Sequence, residues 1–283
     1  MGEVRDCEGY TASCPPSTRA PAPASVAVLS WLTAGHLACE PRRSAQPSAR
    51  VARTCLARRT GACMAIGNQL TELVAAARKD GWASGTGKLE VLRVQAQWLE
   101  LTPMASRRGQ SRVDVLRPVD PGDAPRRSLS ATYGSGAQPL HTDGAHLSSP
   151  PDIVILSAES PSPVPTMLWR GDHWRTPYEV RENLAHGLFI VDDGTARFLA
   201  PAFGSGRYRF DPGCMRPADS RARRAFAYFE EALASAIAFN WTEPDQVLVL
   251  DNRAVLHARA DAAATPEREL KRLMFRVKKV ERR

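Results

Sequence analysis

From Pro150 to Val277 the chain returns repeatedly to apolar runs of strand length, each closed by turn residues. DIVILSAES, PTMLW, LFIVDD, ARFLAP, RYRFD, QVLVLDN and ELKRLMFRVKK are too short for buried helices and rich in Val, Ile, Leu and Phe. Spacing of this kind predicts a sandwich or barrel rather than a helical bundle or a doubly wound sheet. Earlier in the chain, 66–80 is predicted as a helix from apolar residues at Ile66, Leu70, Leu73 and Val74. Leu89 to Leu101, Val113 to Val119 and Ser128 to Tyr133 read as strands. Tyr178 to His186 reads as a short helix. A longer helix is predicted over 217–239, with Pro217 at its start and Phe226, Phe229, Leu233 and Ile237 at helical spacing. Turn residues predict loops at Asp120 to Pro125 and Ser160 to Pro165.

The first 63 residues are of another kind. They hold five of the six cysteines (Cys7, Cys14, Cys39, Cys55, Cys63) and eight arginines against four acids. Ala, Pro, Ser and Arg dominate, and neither helix nor strand periodicity persists. Such a segment buries too little apolar surface to offset chain ordering. The cysteine spacings contain no C-x-x-C pair. Residues 24–38 are too short and too polar to span a bilayer. Pro41 to Thr60, with six arginines and no acid, resembles an organelle transit peptide. The expected division is an extension over 1–63, disordered or not native to the working protein, and one domain over 64–283. The expected location is cytoplasmic, with organelle import as the alternative.

The net charge of +8 permits a nucleic-acid partner. However, about half of it sits in the extension, and no helix-turn-helix, zinc-finger or RNA-recognition signature accompanies it. No nucleic-acid and no membrane partner is expected. Gly134-Ser-Gly136 lacks the third glycine of a dinucleotide loop. Cys214 has neither a partner cysteine nor an obvious base.

Chemistry concentrates in His141-Thr142-Asp143 and, far downstream, His257. On a strand, residues two apart share a face, so His141 and Asp143 could reach one metal. A histidine from a distant strand would complete a two-histidine, one-carboxylate face with open positions, which suits non-heme Fe(II). Arg268 and Arg272 follow His257 by eleven and fifteen residues. If 268–276 is a strand, Arg268, Leu270, Arg272, Met274 and Arg276 share one side; the rival is a basic helix. A guanidinium on that side suits the far carboxylate of a dicarboxylate.

Residues 128–276 resemble the taurine dioxygenase-like (TauD/TfdA-type) branch of the Fe(II)/2-oxoglutarate dioxygenases. The pieces that carry the resemblance are SLSATYG, PLHTDGAH, PPDIVIL, PTMLW, VLVLDNRAVLHAR and RELKR, in the family's order. The resemblance implies a mainly β fold, a double-stranded β-helix (jelly-roll) core with flanking helices. It implies His141, Asp143 and His257 as iron ligands, with Thr166 and Arg268 holding the distal carboxylate of 2-oxoglutarate. Arg272 would lie near the cosubstrate or a substrate anion. Iron, 2-oxoglutarate and dioxygen would then be the cofactor and cosubstrates, and no catalytic side chain is expected beyond the metal centre. Asp251 and Asn252 would fix a turn and orient His257. His146 reads as a loop residue, with a place facing the substrate as the alternative; His173 and Trp174 fit a lid or an exposed turn equally, and His186 reads as structural.

The expected activity is hydroxylation of an unactivated C–H bond of a small molecule, an amino acid or natural-product intermediate, with release of succinate and carbon dioxide. The alternatives are a jelly-roll binding or sensor protein without turnover, an inactive family member, and a zinc hydrolase on the same ligands. Gly134 to Leu140 lacks the Asn and Trp of taurine-oxidising members, which argues against a taurine pocket. Oligomeric state is not legible.

Overall fold

A computed structural model describes residues 69–107 and 109–278. The extension over 1–63 and the expected domain start near Met64 lie outside the described residues.

Two antiparallel sheets face each other across a core. The larger has β1 (Trp82–Thr86), β12 (Gln246–Asp251), β4 (Ile153–Ala158) and β14 (Leu270–Val277) in that order, with β2 (Leu101–Met104) and β3 (Val113–Leu116) sharing the outer edge of β14. The smaller is β11 (Ile237–Trp241), β5 (Ser162–Arg170) and β13 (Val255–Arg259). Alternation along the central strands explains the layering. Val154, Leu156, Leu248, Leu250, Leu270 and Met274 pack inward between the sheets, with Leu168 and Val255 opposite. Their neighbours Ile153, Ile155, Val247, Val249, Leu273 and Phe275 point the other way. There α1 (69–80) and α2 (Leu89–Trp98) cover them with Leu70, Leu73, Leu92 and Ala96. A strand buried on both faces reads as a continuous apolar run, which is why β4 and β12 stand out in the sequence. This arrangement is the expected mainly β jelly-roll core with flanking helices.

The other side is closed by α4 (Tyr178–His186), a second small sheet of β10 (Met215–Pro217), β6 (Leu188–Asp192) and β7 (Arg197–Pro201), and α5 (Ser220–Ala232). Phe189, Phe210, Phe229 and Leu256 are buried beneath them. β8 (Phe203–Gly204) and β9 (Arg207–Tyr208) form a short hairpin. Among the described residues no helix is long and apolar enough to cross a membrane.

Five expectations need correction. The strand expected over Leu89 to Leu101 is helical from Leu89 to Trp98, and extended chain begins only at Leu101. The buried positions Leu89, Leu92, Gln95 and Ala96 follow a helical period, while Val91 and Val94, which suggest alternation, are exposed. Ser128 to Tyr133 is not a strand but α3 (Leu129–Tyr133), whose Ser128 hydroxyl accepts from the Ala131 N–H at 3.2 Å. The helix predicted over 217–239 is α5 alone. Asp219 caps its N-terminus by accepting from the Ala222 N–H at 2.7 Å. Beyond a 3-10 turn at Leu233–Ser235, Ile237–Trp241 pairs with β5 instead, so sheet pairing overrides the helical spacing of Leu233 and Ile237. The loop expected over 160–165 gives way at Ser162 to β5, and RYRFD forms a strand only at Arg207–Tyr208. By contrast, Tyr178–His186 is helical as expected, and the 268–276 region is extended from Leu270 onward.

Candidate metal centre

His257 lies on β13 at the inner edge of the smaller sheet. His141 is not part of a strand but forms an isolated antiparallel bridge with it: each N–H donates to the other's carbonyl at 2.9 Å. This pairing sets the two rings on one side, with centroids 4.4 Å apart. Asp143 follows in a turn rather than at the next strand position. Two clasps hold that turn. The Thr142 hydroxyl accepts from the Phe210 N–H at 3.1 Å, and the Asn252 side chain both accepts from the Asp143 N–H at 2.9 Å and donates to the Asp143 carbonyl at 3.0 Å. Gly144 comes next at φ +66°, where an added Cβ would meet Pro151 Cδ at 2.6 Å.

His141, Asp143 and His257 each present one ligand atom, all within 4.8 Å of one another. The His141 Nδ1 lies 3.1 Å from the Pro139 carbonyl. Donation there leaves Nε2 with its lone pair free to face a metal. Burial first, and His141 second, push the His257 imidazole down to about 3, so it is a neutral ligand. Burial pushes the Asp143 carboxyl up, but the Arg272 guanidinium paired with it outweighs burial and holds it below its ordinary value. Asp143 Oδ2 is buried without a hydrogen-bond partner and lies 3.6 Å from His257 Nε2. A buried oxygen with no donor is costly. Two neutral imidazoles and a carboxylate converging on that point fit a divalent cation with open coordination positions.

The triad opens into a cavity of about 830 Å³, and Thr166, Arg268 and Arg272 line the same space. Thr166 and Arg268 are 3% and 5% exposed. The Thr166 hydroxyl accepts from the Trp241 indole N–H at 3.1 Å, leaving its own proton to donate. Burial and the neighbouring Arg259 push the Arg268 guanidinium down to about 10, and its Nε–H is buried without an acceptor. Arg272 differs: it pairs with Asp143 and with Asp114 of β3. Burial pulls it down, yet the two carboxylates win and raise it.

The structure therefore brings together all six ligand and cosubstrate residues read from the sequence. Of the remaining two, Asp251 fixes the turn as expected, and Asn252 holds a different partner. Asn252 clasps Asp143 rather than orienting His257, while Asp251 accepts from the Arg253 N–H at 3.1 Å and so shapes the turn. His146 lines the cavity, its Nε2 2.8 Å from the Ser106 carbonyl. His173 stacks on Phe203 at 3.7 Å, and His186 sits one helical turn from Glu182. Burial raises the Cys214 thiol, which keeps it protonated.

Three residues were missed. Asp114 is remote in sequence and becomes visible only through its pairing opposite Arg272. Arg259 is buried and donates to the Gly136 carbonyl at 2.7 Å. Asp211 lines the cavity, and burial raises its carboxyl. The H-x-R pattern at His257 was the single available hint of Arg259.

Comparison with known proteins adds the following. Residues 185–274 match the family described as "Taurine catabolism dioxygenase TauD, TfdA family". That span contains His257, Arg268 and Arg272; His141 and Asp143 join it through the geometry above. No curated protein matches the sequence. Among solved structures, asparagine oxygenase in complex with Fe(II), 2S,3S-3-hydroxyasparagine and succinate is similar at 16% identity. The match covers 76% of this chain and 79% of that one, with a TM-score of 0.59. A variant of the non-heme iron oxygenase OrfP with (3S)-hydroxy-L-Arg is similar at 20% identity, covering 76% and 80%, with a TM-score of 0.58. OrfP with Fe and alpha-ketoglutaric acid is similar at 18% identity, covering 76% and 80%, with a TM-score of 0.56. At these identities the likeness establishes the fold.

Proposed function

We propose that this chain, which matches the TauD, TfdA family over residues 185–274, is an Fe(II)- and 2-oxoglutarate-dependent oxygenase that hydroxylates a small molecule. One observation carries the reading: the His141, Asp143 and His257 ligand set and the anion-ready pair Thr166 and Arg268 line one cavity. A zinc hydrolase needs the first group and has no use for the second. When bound, iron with 2-oxoglutarate supplies oxygen activation coupled to oxidative decarboxylation.

The protein's share is binding, orientation and exclusion of water. The Arg268 guanidinium and the Thr166 hydroxyl present donors to the distal carboxylate of 2-oxoglutarate. Trp241 fixes the rotamer of Thr166 from behind. Arg268 is already desolvated, so a carboxylate there gains a charge-assisted pair without a further desolvation cost on the protein side. At the other end of the cavity, His257 and Asp143 are almost fully enclosed, at 6% and 2% exposure, which keeps bulk water off the reacting face. Ser106, Gln110, Asp193 and Asp211 line the same cavity and are available to a substrate. The Asp211 carboxyl offers an oxygen acceptor to an amide or ammonium donor, in keeping with an amino-acid-like substrate.

The test is anaerobic addition of Fe(II) and 2-oxoglutarate to the folded protein. A weak visible charge-transfer band is expected, followed by succinate on admitting oxygen. His141→Ala should remove both. Absence of both in the unaltered protein would leave the binding or sensor alternative standing and sink this reading.

A further inference from the structure

Asp114 and Arg272 stand directly opposite each other where β3 pairs with β14. Asp114 Oδ2 accepts from Arg272 Nε at 3.2 Å and from Nη2 at 2.9 Å. Its other oxygen, Oδ1, accepts from the Ser106 hydroxyl at 3.0 Å. The third guanidinium nitrogen, Nη1, donates to Asp143. Every nitrogen of Arg272 therefore has a carboxylate of this chain as its partner. Both side chains are mostly buried, at 17% and 16% exposure, and both line the cavity.

A guanidinium recognises a carboxylate or sulfonate by offering two N–H groups as a planar fork. In Arg272 the fork formed by Nε and Nη2 holds Asp114. The seat an incoming anion would take is filled from within. An anion placed there would displace a hydrogen-bonded carboxylate or lie beside it, and like charges in a low-dielectric site repel strongly. Behind Asp114, the Ser106 hydroxyl lies 3.0 Å from both Asp114 Oδ1 and Gln110 Oε1, and the Ser106 carbonyl meets the His146 ring at 2.8 Å.

We propose that Asp114 is a specificity-determining residue that fills the anion seat of Arg272, so the substrate presents a neutral or cationic group there and not a carboxylate or sulfonate. The inference rests on reading this cavity as the substrate pocket. Discrimination comes from an element that repels the wrong ligand as well as from contacts to the right one.

The experiment titrates methanesulfonate into wild type and Asp114→Asn by calorimetry, metal-free and with Zn(II) added to engage Asp143. Asp114→Asn should bind at least tenfold more tightly than wild type with Zn(II) present. The gain should vanish in Asp114→Asn/Arg272→Met. Asp114→Glu, which restores the charge, should return the affinity toward that of wild type. In a succinate-coupled screen, Asp114→Asn should improve aspartate relative to asparagine at least tenfold, through KM rather than kcat. Equal binding by wild type and Asp114→Asn overturns the proposal, as does a gain that persists without Arg272. If Asp114→Asn does not fold, Asp114→Ser carries the same comparison. The titration needs neither oxygen nor turnover, so failure of the oxygenase reading, seen as no succinate from wild type, is distinguishable from failure of this one.

Discussion

Arg268 and Arg272 are four residues apart and open on the same cavity, yet their electrostatic settings are opposite. Arg272 meets two carboxylates, Asp143 and Asp114, and is held charged. Arg268 meets none; its largest perturbation is burial, its next is the cation of Arg259, and its Nε–H has no acceptor. A buried cation without an anion is a strained arrangement that a ligand can relieve, whereas a buried cation with two anions is finished. One part of the cavity thus lacks an anion, and the other is complete as it stands.

The largest break in this comparison comes from Asp143, which serves both as candidate metal ligand and as partner to Arg272. Asp143→Ala should abolish Fe(II)-dependent succinate formation, well beyond the ~10–100-fold typical of outer partners of a metal. Calorimetric metal titration should show the binding lost with it.

Next come the arginines themselves. Arg272→Met leaves Asp114 and Asp143 without their cation, and breaking such a buried pair costs about 3–5 kcal/mol. The thermal midpoint of the ligand-free protein should fall by roughly 10 °C. Arg268→Met removes a cation that has no anion, so the ligand-free midpoint should stay at or above that of wild type. Its defect should appear in the KM for 2-oxoglutarate, raised about 100-fold for the loss of charge-assisted hydrogen bonds worth ~1.5–3 kcal/mol each. Equal destabilisation by both substitutions would remove the distinction between the two sites.

A smaller effect is expected at Asn252, whose amide donates to the Asp143 and Pro151 carbonyls, both at 3.0 Å. Asn252→Ala strands these buried groups, at a cost of ~1–3 kcal/mol. Metal affinity should fall about tenfold, with Arg268-dependent binding of 2-oxoglutarate unchanged.

The difference between the arginines was half legible in the sequence. Arg268 and Arg272 stand out by their distance from His257, and strand composition puts Arg272 on the inner face with Leu270 and Met274, where the structure has it. β4 and β12 were equally legible, because strands buried on both faces advertise themselves as unbroken apolar runs. The pairing that sets Arg272 apart was not. Asp114 lies 158 residues upstream, and only the docking of β3 on β14 brings it across. Local pattern also failed where two periods coincide. In α2 the exposed Val91 and Val94 mimic a strand, and at Ile237 a residue in helical phase with Phe229 joins a sheet. In each case the deciding partner is distant in the chain. His141 and Asp143 reach the right place for a different reason than strand alternation: the bridge to His257 and the Asn252 clasp set them there.

The finest test uses lysine at each arginine in turn. Burial beside Arg259 takes the Arg268 guanidinium down to about 10, a value that still leaves it charged at neutral pH. The ammonium of Arg268→Lys starts lower, and the same burial beside Arg259 pushes it further down toward neutrality. A cation depressed by burial loses its proton as pH rises, and a neutral amine cannot pair with a carboxylate. The affinity of Arg268→Lys for 2-oxoglutarate should therefore weaken as pH rises from 7 to 9, by several-fold, while wild type stays flat. At position 272 the sign reverses, because the carboxylates of Asp143 and Asp114 outweigh burial. The ammonium of Arg272→Lys stays charged over the same window, and its affinity for 2-oxoglutarate should not decline between pH 7 and 9. Calorimetric titration of the Zn(II)-loaded variants at three pH values measures both slopes. Parallel slopes would mean that the two cations share one environment, contrary to the asymmetry on which the assignment of Arg268 to the cosubstrate depends.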